Sequence, residues 1–253
     1  MELNGLLDPF PLWTIFPISV AIALASVEVG YRLAQRAKEE KEAPVGGMAG
    51  ATLGLLAFML AFTFGMAASR FEDRRQVLLS EANAIGTTYL RAKMLAEPMR
   101  TEAQNMLREY VDVRLEGVQP GKLQQAILRS EELQNRLWSV AIAQAEKAPN
   151  VITSLFIQSL NEVIDLHATR VMAGVRSRIP GMIWIVLYLL AVIAMVMMGY
   201  HAGLANSRRS IATIALVVAF SSVLYLIADL DRPGQGMLKV SQQAMIDLRK
   251  SMN

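Results

Sequence analysis

Four stretches of the chain are apolar for long enough to cross a bilayer, and the segment between the second and third alternates charge with apolar residues at helical spacing. A membrane-spanning helix needs about 20 mainly apolar residues. Pro9 to Val27 supplies them before the first charge at Glu28, and the first span is placed at residues 9–34. Residues 44–69 carry no charge and, at about 1.5 Å per residue, are long enough to cross with tilt. Among Asp, Glu, His, Lys and Arg, residues 180–206 hold only His201, and residues 210–228 none. These are the third and fourth spans, joined by a tight turn at Asn206, Arg208 and Arg209. Before the first span stand Glu2 and Asp8 with no basic residue, unlike a secretory signal, so that span is read as retained.

Residues 70–178 form a polar insert that lipid would not accommodate. Pro98, the stretch Gly117 to Gly121 with Pro120, and Pro149-Asn150 divide it, and Pro180 marks the return to the membrane; four helices are predicted. The second insert helix aligns Met99, Ala103, Met106, Leu107, Tyr110, Val111 and Arg114, and the fourth Ile152, Leu155, Phe156, Leu160, Val163 and Ile164, stripes wide enough to pack a bundle. Residues 229–253 read as a tail with a short amphipathic helix opened by Ser241. The expected fold is all-α, with four transmembrane helices and a helical-bundle insert between the second and third.

Composition narrows the function classes. Of 253 residues, 53% are hydrophobic and 19% charged, which favours a membrane protein over a soluble domain. With no cysteine and two histidines, a disulfide framework, a cysteine-rich zinc site and an iron–sulfur cluster are excluded. A net charge of +3 with basic residues scattered among acids does not point to nucleic acid. Gly46, Gly47 and Gly50 lie inside an apolar helix, the wrong context for a phosphate loop. No nucleophile, base and orienting acid come together, so no catalytic residue, cofactor or metal is expected, and the chain is not read as an enzyme.

Four spans put the N-terminus, insert and tail on one side. The 1–2 loop holds Arg32, Arg36, Lys38 and Lys41 and the 3–4 loop Arg208 and Arg209, which by the positive-inside rule draws those loops to the cytoplasm. The insert side answers with Arg70, Arg74 and Arg75, with Arg170, Arg176 and Arg178, and with Arg232 and Lys239. Long domains count little, so charge alone slightly favours an outside insert.

Projected at about 100° per residue, Gly50, Gly54, Ala57, Ala61, Gly65 and Ala68 of the second span fall in one narrow stripe. Small residues at this spacing let helices approach closely in lipid. Another face carries Thr52, Leu55, Met59, Phe62, Thr63 and Met66 and ends at Arg70. Copies arranged about an axis would form rings of these residues, a hydrophobic constriction that gates by dewetting with a positive ring at its mouth. The competing reading has this face meeting lipid or another helix, and the small stripe itself is a second candidate for the lining. The span runs on without a breaker into Arg70, Phe71, Glu72, Asp73, Arg74 and Arg75, so one helix is expected to cross both solvents. This charged collar is either an ion funnel or a snorkelling anchor; exposed pairs within it contribute only about 0.3 to 0.5 kcal/mol each.

The residues from Gly54 to Arg91, and Asp229-Leu230-Asp231-Arg232-Pro233 followed by Val240-Ser241-Gln242-Gln243, resemble a bacterial membrane family labelled bestrophin-like. That similarity covers nearly the whole chain. To true bestrophins the likeness is thinner: four spans with a helical insert, and a charged aromatic motif after the second span. Resemblance implies a homopentameric anion channel with a hydrophobic neck on the second span and a cytosolic insert. The sequence departs where Phe71-Glu72-Asp73 replaces paired tryptophans, and where no acidic run follows the fourth span, a departure that weighs against calcium gating.

Ionisable groups at membrane depth are functional candidates. Glu28 reaches Arg32 four residues on, which favours interfacial pairing. His201 lacks a second ligand nearby and is read as an interfacial imidazole. His167, beside Asp165 and Arg170, is assigned no role. Asp229 and Asp231 offer too few oxygens for a cation and are read with Arg232 as a membrane-exit turn. The expectation is a homo-oligomeric, anion-conducting channel in a bacterial cytoplasmic membrane, with lipid, its own copies and inorganic anions as partners and the insert in the cytosol. The alternative is a non-conducting scaffold or sensor whose insert binds a partner.

Overall fold

The computed structural model describes residues 9–36, 42–147, 149–206 and 210–252. Glu2, Asp8, Lys38, Lys41, Arg208 and Arg209 lie outside the described residues. The described chain is helical, with no strand: α1 (Leu12–Arg36), α2 (Glu42–Ala92), α3 (Met99–Glu116), α4 (Leu123–Lys147), α5 (Val151–Val171), α6 (Gly181–Leu204), α7 (Ile211–Asp231) and α8 (Gln243–Ser251). A short π-helical stretch, Met172–Arg176, follows α5. Four of these helices are long and apolar enough to cross a membrane: α1, the first part of α2, α6 and α7. The all-α expectation with four spans therefore holds. The chain divides into two compact units, one of Met1–Phe71 with Arg178–Lys239 and one of Glu72–Ser177 with Val240–Asn253. The division falls within α2, whose 51 residues form one continuous helix.

In the membrane unit, a core of Ile15, Leu56, Leu60, Trp184, Leu187, Met195, Val217, Leu224 and Ile227 joins the four spans. In lipid such packing rests on dispersion and close fit, since hydrocarbon on the far side is as apolar as the core. The closest fit lies between α1 and α6. A Cβ added to Gly199 would stand 2.0 Å from the Val27 carbonyl oxygen, and one added to Gly30 would stand 2.0 Å from that of Val196. Only glycine allows these backbones to meet. Ser19 and Tyr188 share a hydrogen bond of 2.9 Å between the same two helices. Near the end of α1, Arg32 Nε donates to Glu28 Oε1 at 2.7 Å, the pairing expected at four-residue spacing.

The insert unit is a bundle of the second half of α2 with α3, α4, α5 and α8, closed around Tyr110, Leu107, Leu133, Leu137, Phe156 and Leu160. Burying each such side chain contributes roughly 1.5 to 3 kcal/mol. Its breaks lie where the sequence has breakers. Gly121 takes φ +80° in the α3–α4 turn, and Asn150 caps α5 by accepting from the Thr153 amide at 2.9 Å. All seven residues of the α3 stripe are buried. On α5 the expected stripe is corrected. Ile152 is exposed, and the buried seam is Thr153, Phe156, Ser159, Leu160, Val163 and His167. The apolar residues alone mislead there because serine, threonine and histidine share the seam. Helix α8 docks through Met245 and Met252. The Met252 carbonyl accepts from Tyr89 Oη at 2.9 Å and Arg108 Nε at 2.7 Å, and Arg249 pairs with Asp112 at 2.6 Å.

Candidate functional site

The membrane half of α2 has one seam turned inward and the rest turned away from its own chain. Val45, Ala49, Leu56, Leu60, Thr63 and Ala67 are buried, at spacings of three, four and seven that keep them on one face. Opposite that seam stand Gly54, Phe58, Ala61, Phe62 and Gly65, with Phe58 66% and Phe62 57% exposed. Of the candidate lining residues, Leu55 and Phe62 are exposed, while Thr52, Met59 and Met66 are half-buried at the edge of the face. Thr63 is corrected: it is fully enclosed within its own chain, its hydroxyl donating to the Met59 carbonyl at 2.7 Å, and so faces no shared axis. The Thr52 hydroxyl is likewise turned back on the helix, to the Ala49 carbonyl at 3.0 Å. Phe58 was missed because the outward arc is centred nearer the glycines than a projection grouping bulky residues suggests.

The small-residue stripe is open within the chain. Gly50, Gly54, Ala57, Ala61 and Gly65 are exposed and Ala68 is half-buried. A Cβ added to Gly50, Gly54 or Gly65 meets nothing within 4 Å. Beside the stripe, Ala57, Leu60, Ala61 and Phe64 face Leu216, Ala219, Phe220, Val223 and Leu226 of α7 across an apolar groove of about 550 Å³. Along the collar, Arg70 is half-buried, Arg74 is buried, and Glu72, Asp73 and Arg75 are exposed. The Glu72 carboxylate accepts from Arg75 at 3.2 Å.

The membrane exit of α7 is a buried junction. Asp231 Oδ1 accepts from the Ile179 amide at 2.9 Å, and Asp229 Oδ2 accepts from the amides of Met237 and Leu238 at 3.2 Å each. Arg232 Nη1 donates to the Phe10 carbonyl at 2.6 Å. Gly236 is packed against Asp229, where an added Cβ would overlap Oδ1 at 1.3 Å. The two carboxylates thus tie the loop after α7 and the start of α6 to the end of α7. The ties of both carboxylates run to backbone amides. Among the described residues no group of three His, Asp or Glu is placed to hold a metal ion.

The insert holds a second polar centre, which the sequence reading left without a role. Glu81 of α2 is fully buried. Its Oε1 lies 3.0 Å from Arg114 Nε and accepts from Tyr110 Oη at 3.1 Å, both on α3, and Oε2 accepts from Arg170 of α5. Gln134 Nε2 of α4 donates to Tyr110 Oη at 3.2 Å, and His167 Nδ1 lies 3.2 Å from the same oxygen. Arg170 Nη2 also donates to Gln242 at 3.1 Å. Burial pushes the Tyr110 hydroxyl well above its ordinary range, and the Glu81 charge adds to this. Burial, aided by the Arg114 and Arg170 charges and opposed by Glu81, pushes the His167 imidazole down to about 4.

Residues 18–245 match the bestrophin-like domain. The chain belongs to the bestrophin-like family. No curated protein matches it. A crystal structure of a variant bacterial bestrophin homolog from Klebsiella pneumoniae is similar at TM-score 0.65, with 13% identity over 94% of this chain and 96% of that one. A second variant of that homolog gives 0.63, with 13% identity over 94% and 95%. A structure described as a membrane protein gives 0.67, with 13% identity over 95% and 97%. At such identity the likeness carries the fold alone. In this bestrophin-like chain the signal for the buried centre was present: Glu81 continues the seam of Leu78, Ala82 and Ile85, all buried, where a carboxylate requires cationic partners.

Proposed function

We propose that this bestrophin-like chain forms a homo-oligomeric channel passing inorganic anions along an axis walled by the outward face of α2. One observation carries this reading: the face of a membrane-spanning helix opposite its packed seam sets two large aromatics, Phe58 and Phe62, one turn apart and turned away from the rest of the chain. Around an axis they form two stacked apolar rings, a constriction that excludes water when narrow. Leu55 lies beside them, and Arg70 puts positive charge just past the apolar half of the same helix, which favours anions by raising their local concentration. The open stripe of Gly50, Gly54 and Gly65 leaves room for close approach of a neighbouring copy. Five copies are favoured by family resemblance, which also favours a bacterial cytoplasmic membrane and a cytosolic insert.

The test is reconstitution of purified oligomer in liposomes with chloride, bromide or potassium gradients. Chloride and bromide flux is expected; an oligomer with an axial opening that passes none of the three ions overturns the reading. The scaffold alternative draws on exposed apolar residues of the insert, Val151, Leu90 and Leu128 among them. A monomer or dimer with no axial path would favour it.

A further inference from the structure

The protons of the buried centre can be assigned. The Tyr110 hydroxyl has one proton, and the Glu81 carboxylate 3.1 Å away can only accept, so that proton points to Glu81. The two lone pairs of Tyr110 Oη then receive Gln134 Nε2–H and His167 Nδ1–H, both at 3.2 Å. His167 is therefore the Nδ1–H tautomer, and Nε2 is a bare base. It is buried and has no hydrogen-bond partner among the described residues.

The charged groups around the imidazole come from each helix at the centre. They are Glu81 of α2, Arg114 of α3 and Arg170 of α5, with the titratable but neutral Tyr110 of α3 and uncharged Gln134 of α4 and Gln242 ahead of α8. Two guanidiniums against one carboxylate already leave one positive charge in excess. A proton on Nε2 would make it two, with no acceptor for the new N–H among the described residues. The helix that carries His167 ends four residues later and passes into the π-helical stretch Met172–Arg176, a wider turn of the kind that marks functional irregularities. A Cβ added at Gly174 in that stretch would meet nothing within 4 Å.

We propose that His167 is an acid-sensitive latch of the insert: proton uptake at Nε2 releases the C-terminal end of α5 from Glu81, Tyr110 and Arg114. The closed form holds the imidazole neutral and the opened form lets it charge in water, so each opening binds one proton. With the closed imidazole at about 4 and a free one near 6.5, lowering pH from 7.5 to 5 multiplies the opening equilibrium about 30-fold. Nothing in this switch depends on ion conduction.

The experiment combines nitrogen-15 histidine NMR with amide hydrogen exchange on the full chain in nanodiscs. The His201→Gln variant leaves His167 as the one imidazole; if it does not assemble, the two wild-type histidine signals are separated by His167→Gln. An Nδ1–H neutral tautomer at pH 7.5 is expected, with the opening equilibrium read from the protection factors of the amides over residues 163–171 showing a rise of about 30-fold from pH 7.5 to 5. His167→Gln should abolish that rise while Gln134→Ala, which cannot titrate, should retain it. An Nε2–H tautomer, titration near 6.5 without loss of protection, or a rise that survives in His167→Gln would overturn the latch.

Discussion

Phe58 and Phe62 make the sharpest residue-scale statement, because an exposed aromatic on a span either meets lipid, where its size hardly matters, or narrows a path, where it decides passage. Replacing either with alanine removes most of a side chain that is over half exposed. If the rings constrict the path, single-channel conductance or liposome flux should rise severalfold for Phe58→Ala and Phe62→Ala and more for the pair; unchanged flux places both against lipid. Thr63→Ala should lower stability without a change in conductance, since its side chain is enclosed. Glu81 is a residue of the opposite kind. Glu81→Gln leaves Arg114 and Arg170 without their counter-charge, and loss of one partner in a buried pair costs about 3 to 5 kcal/mol. Melting of the variant in detergent, measured at pH 7.5, should fall accordingly. His167 adds a pH term whose sign follows from its depressed value. Folding keeps the imidazole neutral, so its contribution is complete above the free value near 6.5 and is lost as pH falls toward about 4. Wild-type melting should drop across that window and the His167→Gln variant should drop less.

At the scale of helices, much was legible in the sequence because length and period are intrinsic to the chain. The apolar runs mark the spans, and Gly121 and Asn150 sit at the insert breaks they predict. The long α2 follows from the absence of any breaker between Ser69 and Arg91. Which face of a span meets what was far less legible. A soluble helix declares its core by contrast with polar residues, whereas on a span the core, lipid and a neighbouring subunit are all apolar. Hence the glycine-alanine stripe of α2 drew attention while the intrachain contact lay between α1 and α6. Gly199 and Gly203, four apart, carried a visible small-residue spacing for that contact. The two sets of glycines separate in one comparison. Gly199→Ala pushes a methyl onto the Val27 backbone and should destabilise the membrane unit by about 1 to 3 kcal/mol. Gly54→Ala meets nothing within its own chain and should leave the protomer's unfolding unchanged, so any loss it causes would appear in oligomer size on native gels or by mass photometry.

For the whole molecule, loop charge and family resemblance place the insert on opposite sides. The basic residues of the short 1–2 and 3–4 loops draw those loops inward, while family resemblance puts the insert inward. An even number of spans forbids both. The insert side is not poor in anchors: Arg70, Arg74 and Arg75 follow the second span directly, and Arg232 is tied by hydrogen bond to the Phe10 carbonyl at the opposite end of the sequence. Charges within about 15 to 20 residues of a span are the ones that count, and on that tally the sides are nearly equal, so the proposed cytosolic insert rests on family resemblance and needs its own test. The absence of cysteine makes the test clean. A single cysteine at Ser139, exposed on α4, should resist a membrane-impermeant maleimide in intact cells and react once they are permeabilised, whereas one at Lys38 in the 1–2 loop should react from outside at once. The reverse pattern would put the insert outside. It would then expose the His167 latch to the acidity of the surroundings instead of that of the cell, so the same labelling result fixes which compartment's pH the bundle can sense.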